Sequence, residues 1–412
     1  MFRVDENRMI PTNRPALFNF ILAAAAFYQP NYSKNMPRSM IKINSSPTVL
    51  IVSSYGPPHP GGLEKAVAKI FQEMKKRGVD VRWLLSDVPP LPEEADTIRI
   101  KVWNHVETYL GIPVPLPKFS AYARLFREIS KCDLVHINDG YYLICIAAAL
   151  IAKIQGKRTA ITVHIWDVPY KNPLLFLIQK LTLAFVVIPT VLMIDSPVFC
   201  NRRIFKKMIT FKSNSHHIAN ALDSVLAMGR VLSSRDDLRK HLGLPISKKI
   251  VIFAGRYSHK KGLDIIREVA KKCQEIFFIM CGTGLESPEE WGLANVLNLG
   301  WVDSEKLREL FSCADLFLLP SRGESFPLAI QEAMSCGLTC AIYEETWSAW
   351  GEDRDLFLIL DDFPTVIEAV RSWMSQTTDT DKARKIADYA KQHWTAEIMT
   401  NAYMQVYQEP LK

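Results

Sequence analysis

The sequence predicts an α/β fold made of two doubly wound domains in succession. Short runs rich in Val, Ile and Leu alternate with longer amphipathic segments along the 412 residues. Each run is continuously apolar, which indicates strands buried on both faces, as in a parallel sheet covered by helices. After a polar helical segment at Ser233–Leu242, the pattern restarts with a new strand at Lys249–Gly255. We therefore expect two Rossmann-like domains that face a central cleft.

The first domain is predicted between residues 46 and 225. Its first helix is expected at Leu63–Arg77. The apolar stretch Leu174–Ile194 is interrupted by Lys180 and Pro189, which favours a buried helix followed by a strand over a membrane span. The predicted strands are Thr48–Ser54, Val79–Ser86, Thr97–Trp103, Asp133–Asn138, Thr159–His164, Val191–Asp195 and His217–Asn220.

The second domain is predicted between residues 226 and 390, with the junction near residues 222–245. Ala383–Gln408 has the pattern of one or two amphipathic helices, and the segment 391–412 is expected to pack back toward the first domain. The predicted strands are Lys249–Gly255, Ile276–Cys281, Val296–Leu299, Asp315–Pro320, Leu338–Ile342 and Leu356–Leu360.

Residues 1–45 are expected to be an N-terminal extension that is disordered or poorly packed. The apolar run Ala16–Tyr28 follows Arg3, Arg8 and Arg14, an arrangement that also resembles a secretory signal. The run is too short to span a bilayer as a helix. Met36 and Met40 lie just before the first strand, so an over-extended start is a further interpretation.

Charge and cysteine usage restrict the function classes. The chain carries 50 basic and 43 acidic residues, a net charge of +7 that suits an anionic substrate or membrane surface. No recognition motif or basic stripe indicates nucleic-acid binding. The eight cysteines include no Cys-x-x-Cys, which favours a reducing, cytoplasmic location and no metal site. The basic segment Asn201–Lys212 could contact anionic lipid, or could be a solvated helix face.

Two loops after predicted strands carry residues suited to a diphosphate. Gly61 and Gly62 follow the first strand, where small residues let backbone amides approach a phosphate, although turn chemistry also explains them. Arg256 and Lys261 follow the strand that opens the second domain. Their fixed positive charge suits a diphosphate leaving group, with a solvated basic turn as the alternative.

A third loop, after Asp315–Pro320, leads into a helix expected to open near Pro327. The amides of Phe326, Leu328 and Ala329 would then point at an anion, with the helix dipole behind them. Glu324 precedes the helix and Glu332 lies inside it, so the two carboxylates could bind a sugar and a ribose. The alternative is a Glu324 that favours the helix N-terminus and an exposed Glu332.

These motifs resemble those of the family-four glycosyltransferases, the "glycosyl transferases group 1" type with the GT-B fold. The hallmark Glu-x7-Glu stands here as Glu324 to Glu332, and Gly255-Arg256 with Lys261-Gly262 matches the family's donor-diphosphate motif. The resemblance covers roughly residues 46 to 410. Further pieces follow in order: Gly61-Gly62-Leu-Glu64, Asp133-Leu-Val-His136, Thr162-Val-His164, Ile218–Asp223, Cys281-Gly282-Thr-Gly284, Leu299–Val302, Trp394 and Tyr407.

The resemblance implies roles for individual residues. Arg256 and Lys261 would neutralise the diphosphate of a nucleotide-sugar donor, and Glu324 would hold the hydroxyls of the transferred sugar. Glu332 would bind ribose hydroxyls, and His164 would lie near the donor sugar. The backbone around Ser325, Phe326, Pro327 and Leu328 would bind phosphate.

The family's chemistry implies retention of anomeric configuration by front-side attack, with no protein nucleophile. In agreement, we expect no clear carboxylate candidate in the loops of the first domain. We also expect no cofactor and no metal, because Arg256 and Lys261 can supply the positive charge that a cation would.

The acceptor is open between a glycan, a lipid-linked compound and a small molecule. A lipid-linked acceptor would suit a cytoplasmic protein in peripheral contact with the inner face of the membrane. Two other interpretations remain at this point: a phosphorylase or epimerase acting on phosphosugars or nucleotide sugars, and a degenerate sugar-nucleotide-binding subunit.

Overall fold

The computed structural model describes residues 47–57, 59, 61–88, 96–105, 107, 114–166, 172–284, 286–324, 326–351, 353–363, 365–377 and 379–409. The N-terminal extension and its apolar run Ala16–Tyr28 lie outside these residues, and so does the predicted site residue Ser325.

The first sheet has seven parallel strands in the order β3-β2-β1-β6-β7-β8-β9. A separate antiparallel pair is formed by β4 and β5. The strands are β1 Val49–Val52, β2 Val81–Ser86, β3 Thr97–Ile100, β4 Val102–Trp103, β5 Leu116–Pro117, β6 Leu134–Asn138, β7 Arg158–Val163, β8 Ser196–Phe199 and β9 His216–His217.

Helices cover both faces of this sheet, as its continuously apolar strands predict. All four residues of β1 are fully buried. The helices are α1 Gly62–Lys76, α2 Phe119–Ser130, α3 Leu143–Ile154, α4 Pro173–Thr182, a π turn at Leu183–Val187, α5 Ile188–Met193 and α6 Arg202–Met208.

The second sheet has six parallel strands in the order β12-β11-β10-β13-β14-β15. Its strands are β10 Ile250–Ala254, β11 Phe277–Cys281, β12 Val296–Gly300, β13 Leu316–Leu319, β14 Cys340–Tyr343 and β15 Phe357–Leu360. Its helices are α7 Arg235–His241, α8 Leu263–Lys272, α9 Ser304–Cys313, α10 Leu328–Ser335, α11 Glu344–Trp350, α12 Thr365–Ser375 and α13 Thr380–His393.

The end of the chain returns to the first domain. Helix α14, Ala396–Gln408, packs against α1. The hydroxyl of Tyr403 lies 3.0 Å from the Thr162 hydroxyl on β7. The Tyr407 hydroxyl lies 2.6 Å from Nδ1 of His136 on β6. These buried polar contacts join the last helix to the same sheet that carries the first part of the site.

The prediction for Leu174–Ile194 is wrong in two respects. Helix continues through Pro189 to Met193, so Val191–Asp195 is not a strand, and β8 begins at Ser196. In the π turn at Leu183–Val187, before Pro189, each backbone N–H donates to the carbonyl five residues earlier. The nitrogen of Pro189 carries no hydrogen to donate, and the helix continues past it without that bond. The helix is also not buried throughout, because Gln179 is the one buried residue of α4.

Two smaller predictions also differ from the structure. The strand expected at His217–Asn220 is the two-residue β9, which pairs with the end of β8. In the basic segment Asn201–Lys212, the apolar residues Ile204 and Met208 of α6 are buried against the sheet. The apolar side of this helix therefore belongs mostly to the core, and its basic side faces out.

Candidate active site

Both sheets reverse their strand order once, and the candidate site lies at these reversals. In the first sheet β1 lies between β2 and β6, and in the second β10 lies between β11 and β13. A crevice that binds ligands opens at the carboxyl ends of strands at such points. The predicted site residues follow these strands: Gly61 and Gly62 after β1, Arg256 and Lys261 after β10, and Glu324 after β13.

The loop after β10 is held in place by its closing glycine. Gly262 has a φ of +74°, and a Cβ atom there would lie 2.2 Å from the carbonyl oxygen of Pro320. Only glycine combines this conformation with such a close approach. The packing fixes Lys261, the preceding residue, beside the loop that follows β13.

A second close approach of backbones supports the start of the same loop. The Tyr257 amide donates to the carbonyl of Thr283 at 2.8 Å. A Cβ atom on Gly284 would lie 1.9 Å from the Tyr257 carbonyl oxygen. The Cys281–Gly284 motif therefore positions the loop that carries Arg256, an exposed residue at the end of β10.

Lys261 and Glu324 are brought into direct contact. The Lys261 ammonium lies 2.9 Å from Oε1 of Glu324, whose side chain is 8% exposed. Burial alone would raise the pKa of Glu324, but the positive charges of Lys261 and Lys260 outweigh it and hold the pKa below its usual range. Glu324 is therefore ionised, and its carboxylate can accept hydrogen bonds from sugar hydroxyls.

The start of α10 is arranged for an anion. Among the described residues, no side chain caps this helix, whose first residue Leu328 follows Pro327. The ring of Phe326 stacks on Trp350 with centroids 4.3 Å apart, which anchors the loop. Unpaired amides and the helix dipole favour a phosphate at such a terminus.

Glu332 lies one turn further along α10 and is 8% exposed. Burial raises its pKa to about 7, while Lys65 lowers it and Asp223 raises it further. The alternative of an exposed Glu332 is therefore wrong. A buried carboxyl group with this pKa can either accept or donate a hydrogen bond near neutral pH.

The two domains approach each other closely at this site. A Cβ atom built on Gly62 would lie 3.7 Å from Cδ1 of Leu328. The charge of Lys65, also in the first turn of α1, acts on Glu332 across the same gap. The N-termini of α1 and α10 thus face each other across the cleft.

His164 is buried at the end of β7, in the first-domain wall of the site. Burial lowers the pKa of this imidazole to about 4, so it is neutral at physiological pH. Its Nδ1 lies 3.7 Å from Sγ of Cys200. Nε2 has no hydrogen-bond partner within the described part of the chain.

Asp139 is a functional candidate that the sequence analysis missed. Its carboxylate accepts the backbone amides of His164 at 2.8 Å and Ile165 at 2.9 Å, and so orients the histidine loop. The residue has a φ of +67°, a costly conformation for a side chain other than glycine. Burial raises its pKa to about 7. Its place directly after β6, before Gly140, was the available signal.

The loop after β1 is joined to two more carboxylates, Glu64 in the first turn of α1 and Glu107 between β4 and β5. His59 contacts Glu64 at 3.2 Å through Nδ1 and Glu107 at 2.9 Å through Nε2. Tyr55 donates its hydroxyl to Glu107 at 2.8 Å. Burial lowers the pKa of His59, but the two carboxylates outweigh it and the pKa is raised. The expectation of no clear carboxylate in the first-domain loops is therefore wrong, because Asp139 follows β6 and Glu107 lies between β4 and β5.

Known protein families match both domains. Residues 60–191 match the family described as Glycosyltransferase Family 4, and residues 234–347 match Glycosyl transferases group 1. A D-inositol 3-phosphate glycosyltransferase of Mycolicibacterium paratuberculosis is 37% identical over 353 residues, 74% of this chain and 75% of that protein. The chain belongs to the group 1 glycosyltransferases.

The names of two other relatives describe different substrates and products. A GDP-mannose-dependent alpha-mannosyltransferase of Corynebacterium glutamicum is 23% identical over 70% of each chain. The alpha-galactosylglucosyldiacylglycerol synthase of Streptococcus pneumoniae is 38% identical over 114 residues. That match covers 24% of this chain and 29% of the length of the synthase.

Solved structures share the fold at low identity. Anabaena HepE in complex with UDP-glucose has a TM-score of 0.65 at 16% identity, covering 87% of this chain and 99% of that one. A sucrose-phosphate synthase from Thermosynechococcus elongatus has a TM-score of 0.64 at 15% identity, covering 87% and 98%. The architecture of this glycosyltransferase is therefore GT-B, as predicted. As a member of its family, it is an enzyme that transfers a sugar from a nucleotide sugar.

Proposed function

We propose that the second domain binds a nucleoside diphosphate sugar and that the first domain presents the acceptor, with retention of anomeric configuration. The observation that carries this proposal is the Lys261–Glu324 pair, which lies where two strands of the second sheet end at its reversal point. A cation for the diphosphate and a carboxylate for sugar hydroxyls are thereby adjacent. Both lie beside the uncapped start of α10.

The donor would lie along the start of α10. Arg256 and Lys261 would bind the diphosphate, with the amides of Phe326 and Leu328 on its oxygens. Glu324 would accept the hydroxyls of the sugar, and Glu332, deeper in the helix, those of the ribose. Uracil is the base of the nucleotides in the bound HepE structures, and guanine is the base of the donor in the name of the corynebacterial relative. Both bases are therefore candidates here.

The transfer itself would proceed on one face of the sugar. The acceptor hydroxyl oxygen attacks the anomeric carbon as the bond to the diphosphate oxygen breaks, and the departing phosphate takes the acceptor's proton. Arg256 and Lys261 stabilise the negative charge that develops on the leaving group. His164 is neutral, and its Nε2 has no hydrogen-bond partner among the described residues, so it would orient the sugar or stabilise charge at the reacting carbon.

Metal-independence is part of the proposal, because the two cationic side chains supply the charge that a divalent ion would. The chain does contain two Asp-x-Asp sequences, Asp353–Asp355 and Asp379–Asp381. Asp353 accepts the backbone amide of Asp355 and Asp379 that of Asp381, so each pair caps a helix start. Loss of activity in EDTA with recovery on adding a divalent ion would contradict metal-independence.

The acceptor class favoured here is a lipid-linked compound, with the protein on the cytoplasmic face of the membrane. The name of the streptococcal relative supports this choice, since it describes synthesis of a glycosylated diacylglycerol. All eight cysteines are buried free thiols, which suits a reducing compartment.

The experiment that tests the proposal is a thermal-shift and hydrolysis panel with UDP-, GDP- and ADP-sugars. It compares the wild type, Glu332→Ala and the control Glu368→Ala, which changes an exposed residue of α12. We expect one nucleotide sugar to stabilise the wild type and the control, and to stabilise Glu332→Ala much less. If none stabilises the folded wild type, the proposed function is overturned. A nucleotide sugar that is isomerised, and not hydrolysed, without any acceptor would instead indicate an epimerase.

A further inference from the structure

Helices α2 to α6 form one layer on one face of the first sheet. The buried side chains of α2, α3, α5 and α6 share a single apolar core with β1, β6 and β7, whereas α1 and α14 pack in a separate core. Helix α4 continues into α5 through the π turn, whose Leu183 and Val187 lie in the first of these cores. The outward sides of α2 to α6 therefore form one continuous surface of the protein, which we call the α2–α6 surface.

Large apolar side chains are exposed on this surface, most of all on α4 and on the π turn that follows it. Leu174, Leu177 and Phe185 are 63%, 54% and 73% exposed. Pro173–Met193 is 21 residues long with a mean hydropathy of 2.1, long and apolar enough to cross a membrane by length and composition. Several large apolar side chains exposed along one helical segment are typical of an interaction surface, whereas single exposed ones are ordinary.

The apolar stripe continues onto the neighbouring helix. Leu143, Leu150 and Ile154 of α3 are exposed and, at spacings of seven and four residues, share one side of the helix. The side-chain amide of Gln179 on α4 donates to the hydroxyl of Tyr141, just before α3, at 2.9 Å. This bond joins α4 to the N-terminal end of α3, and both apolar stripes lie on the same side of the sheet.

The charges on these helices are almost all of one sign. Their one acidic residue is Glu128, which pairs with Arg82 at 2.6 Å and Lys131 at 3.0 Å. Helix α1 on the opposite face instead mixes four lysines with two glutamates. The basic residues of α2 to α6 are Arg124, Arg127, Lys153, Lys180, Arg202, Arg203, Lys206 and Lys207.

We propose that the α2–α6 surface docks on an anionic lipid bilayer. The apolar side chains of α4 and α3 enter the interfacial region. Basic residues that face out, among them Arg203 and Lys206, bind headgroup phosphates, whereas Arg202 donates to the carbonyl of Gly351 and Lys153 pairs with Asp195. An apolar strip bordered by basic residues and almost free of acidic ones is complementary to such a membrane. A protein partner would need a counterpart that is both apolar and acidic, whereas an anionic bilayer has these properties by composition.

The helix lies on the membrane and does not cross it. In the second half of Pro173–Met193, Val187, Ile188 and Val191 are fully buried against the sheet. A Cβ atom on Gly140 would lie 3.2 Å from Cγ1 of Val187, so the packing there is close. Insertion of the whole helix would dismantle this core, whereas the apolar side chains of α4 are already outside it.

Docking also places the bilayer beside the acceptor side of the site. Gln179 donates to the carbonyl of Trp166, two residues after His164, at 3.2 Å. The membrane-facing helix is therefore attached to the loop that carries the histidine. This step rests on the proposed function, because only a lipid-linked acceptor would need a catalytic cleft at the bilayer.

The test is flotation of the full chain with vesicles of phosphatidylcholine alone or with phosphatidylglycerol, without any donor. We expect binding to the anionic vesicles that weakens at high salt. Leu177→Ser with Phe185→Ser should reduce binding by about tenfold or more, since each substitution removes apolar area that the bilayer would bury. The matched control, Leu232→Ser with Phe363→Ser, changes two exposed apolar residues elsewhere and should bind within about twofold of the wild type.

A second pair of variants tests the charges. Arg203→Ala with Lys206→Ala should weaken binding to anionic vesicles by roughly fivefold per residue. Arg267→Ala with Lys271→Ala, on the exposed side of α8, should leave it unchanged. Equal loss in both pairs would show attraction by net charge alone and would overturn the proposed surface.

Three other outcomes also overturn the proposal. They are salt-resistant binding to neutral vesicles, loss of binding when residues 1–46 are deleted, and a wild-type dimer in sedimentation that Leu177→Ser and Phe185→Ser convert to a monomer. Failure of the docking surface is distinguishable from failure of the proposed function. A protein that transfers sugar to a soluble acceptor but floats with no vesicle lacks only the membrane contact.

Discussion

The ammonium group of Lys261 lies 2.9 Å from a carboxylate oxygen of Glu324, and the two residues follow different strands of the second sheet. The Glu324 side chain is almost fully buried, so its charge depends on this cation. Removal of one member of a buried ion pair leaves an uncompensated charge and destabilises a fold by about 3–5 kcal/mol. The contact therefore connects the stability of the empty site with its ability to bind a donor.

Lys261→Met is expected to lower the free energy of unfolding by about 3–5 kcal/mol at pH 7.5, because it leaves the buried Glu324 carboxylate without its ion-pair partner. The double variant Lys261→Met with Glu324→Gln should regain most of that loss, since both charges are gone. Urea denaturation measures both effects. A double variant no more stable than Lys261→Met would contradict the coupling.

The double variant Lys261→Met with Glu324→Gln should regain stability without regaining catalytic activity. All variants that lack Lys261 or the Glu324 carboxylate should lose about 100-fold or more in kcat/KM, because each removes charge stabilisation or sugar contacts in the transition state. Lys271→Met, which changes an exposed lysine of α8, is the control and should stay within about 0.5 kcal/mol and near full activity.

Glu332→Gln should have opposite effects on stability and on donor binding. The pKa of Glu332 is about 7 in the folded protein, above its ordinary value of 4.5. Its contribution to stability is therefore fully present below about pH 4.5 and is lost as the pH rises through about 7. The glutamine variant lacks this penalty and should be more stable than the wild type at pH 8 by about 1–3 kcal/mol, with little difference at pH 5.

Urea titrations at pH 5, 6, 7 and 8 measure the stability effect. The control is Glu368→Gln, which changes an exposed residue of α12. Donor affinity at pH 8 should fall about tenfold in Glu332→Gln, because a charged hydrogen-bond acceptor for the ribose is lost. A stability difference that stays constant with pH would show that Glu332 does not titrate as its burial requires.

Most strands were predictable because a parallel sheet needs short runs that are apolar on both faces. Ile250–Ala254 and Leu316–Leu319 are two such runs, and both lie within the predicted ranges. Val191–Asp195 failed because a short apolar run has the same composition in a buried strand and in a helix. Pro189 was interpreted as a break, and the π turn that accommodates it has no simple sequence pattern.

The candidate site was predictable where it depends on loops that follow strands of the second domain. Lys261 and Glu324 meet as their loops suggested. Asp139 was missed because its importance depends on burial and on a positive φ, which only the fold reveals. The contact of His59 with Glu107 joins residues 48 positions apart, beyond the reach of local pattern.

His136, His164 and His217 are expected to remain neutral through the physiological range. Burial lowers their pKa values to about 3, 4 and 4. Because these values lie below the unfolded value near 6.5, the three residues contribute stability at neutral pH that is lost as the pH falls from about 6.5 toward 4. Imidazole NMR resonances of the three should stay unchanged from pH 8 to 5.5, whereas His59, whose pKa is raised, should titrate above its usual value. Titration of His164 near 6.5 would contradict its burial.

Gly262→Ala should damage both the fold and the activity, and Gly292→Ala provides a matched control. Both glycines have a positive φ, +74° and +63°, so both alanines carry a backbone cost of about 1–2 kcal/mol. Only at Gly262 would the new Cβ meet a backbone atom, the Pro320 carbonyl oxygen at 2.2 Å, whereas nothing lies within 4 Å at Gly292. Gly262→Ala should therefore lose about 3 kcal/mol or more in urea denaturation.

Because the β10 loop must shift to relieve the contact, Lys261 moves away from Glu324, and kcat/KM should fall at least tenfold in Gly262→Ala alone. Equal kcat/KM in the two variants would show that the close approach to Pro320 does not position Lys261.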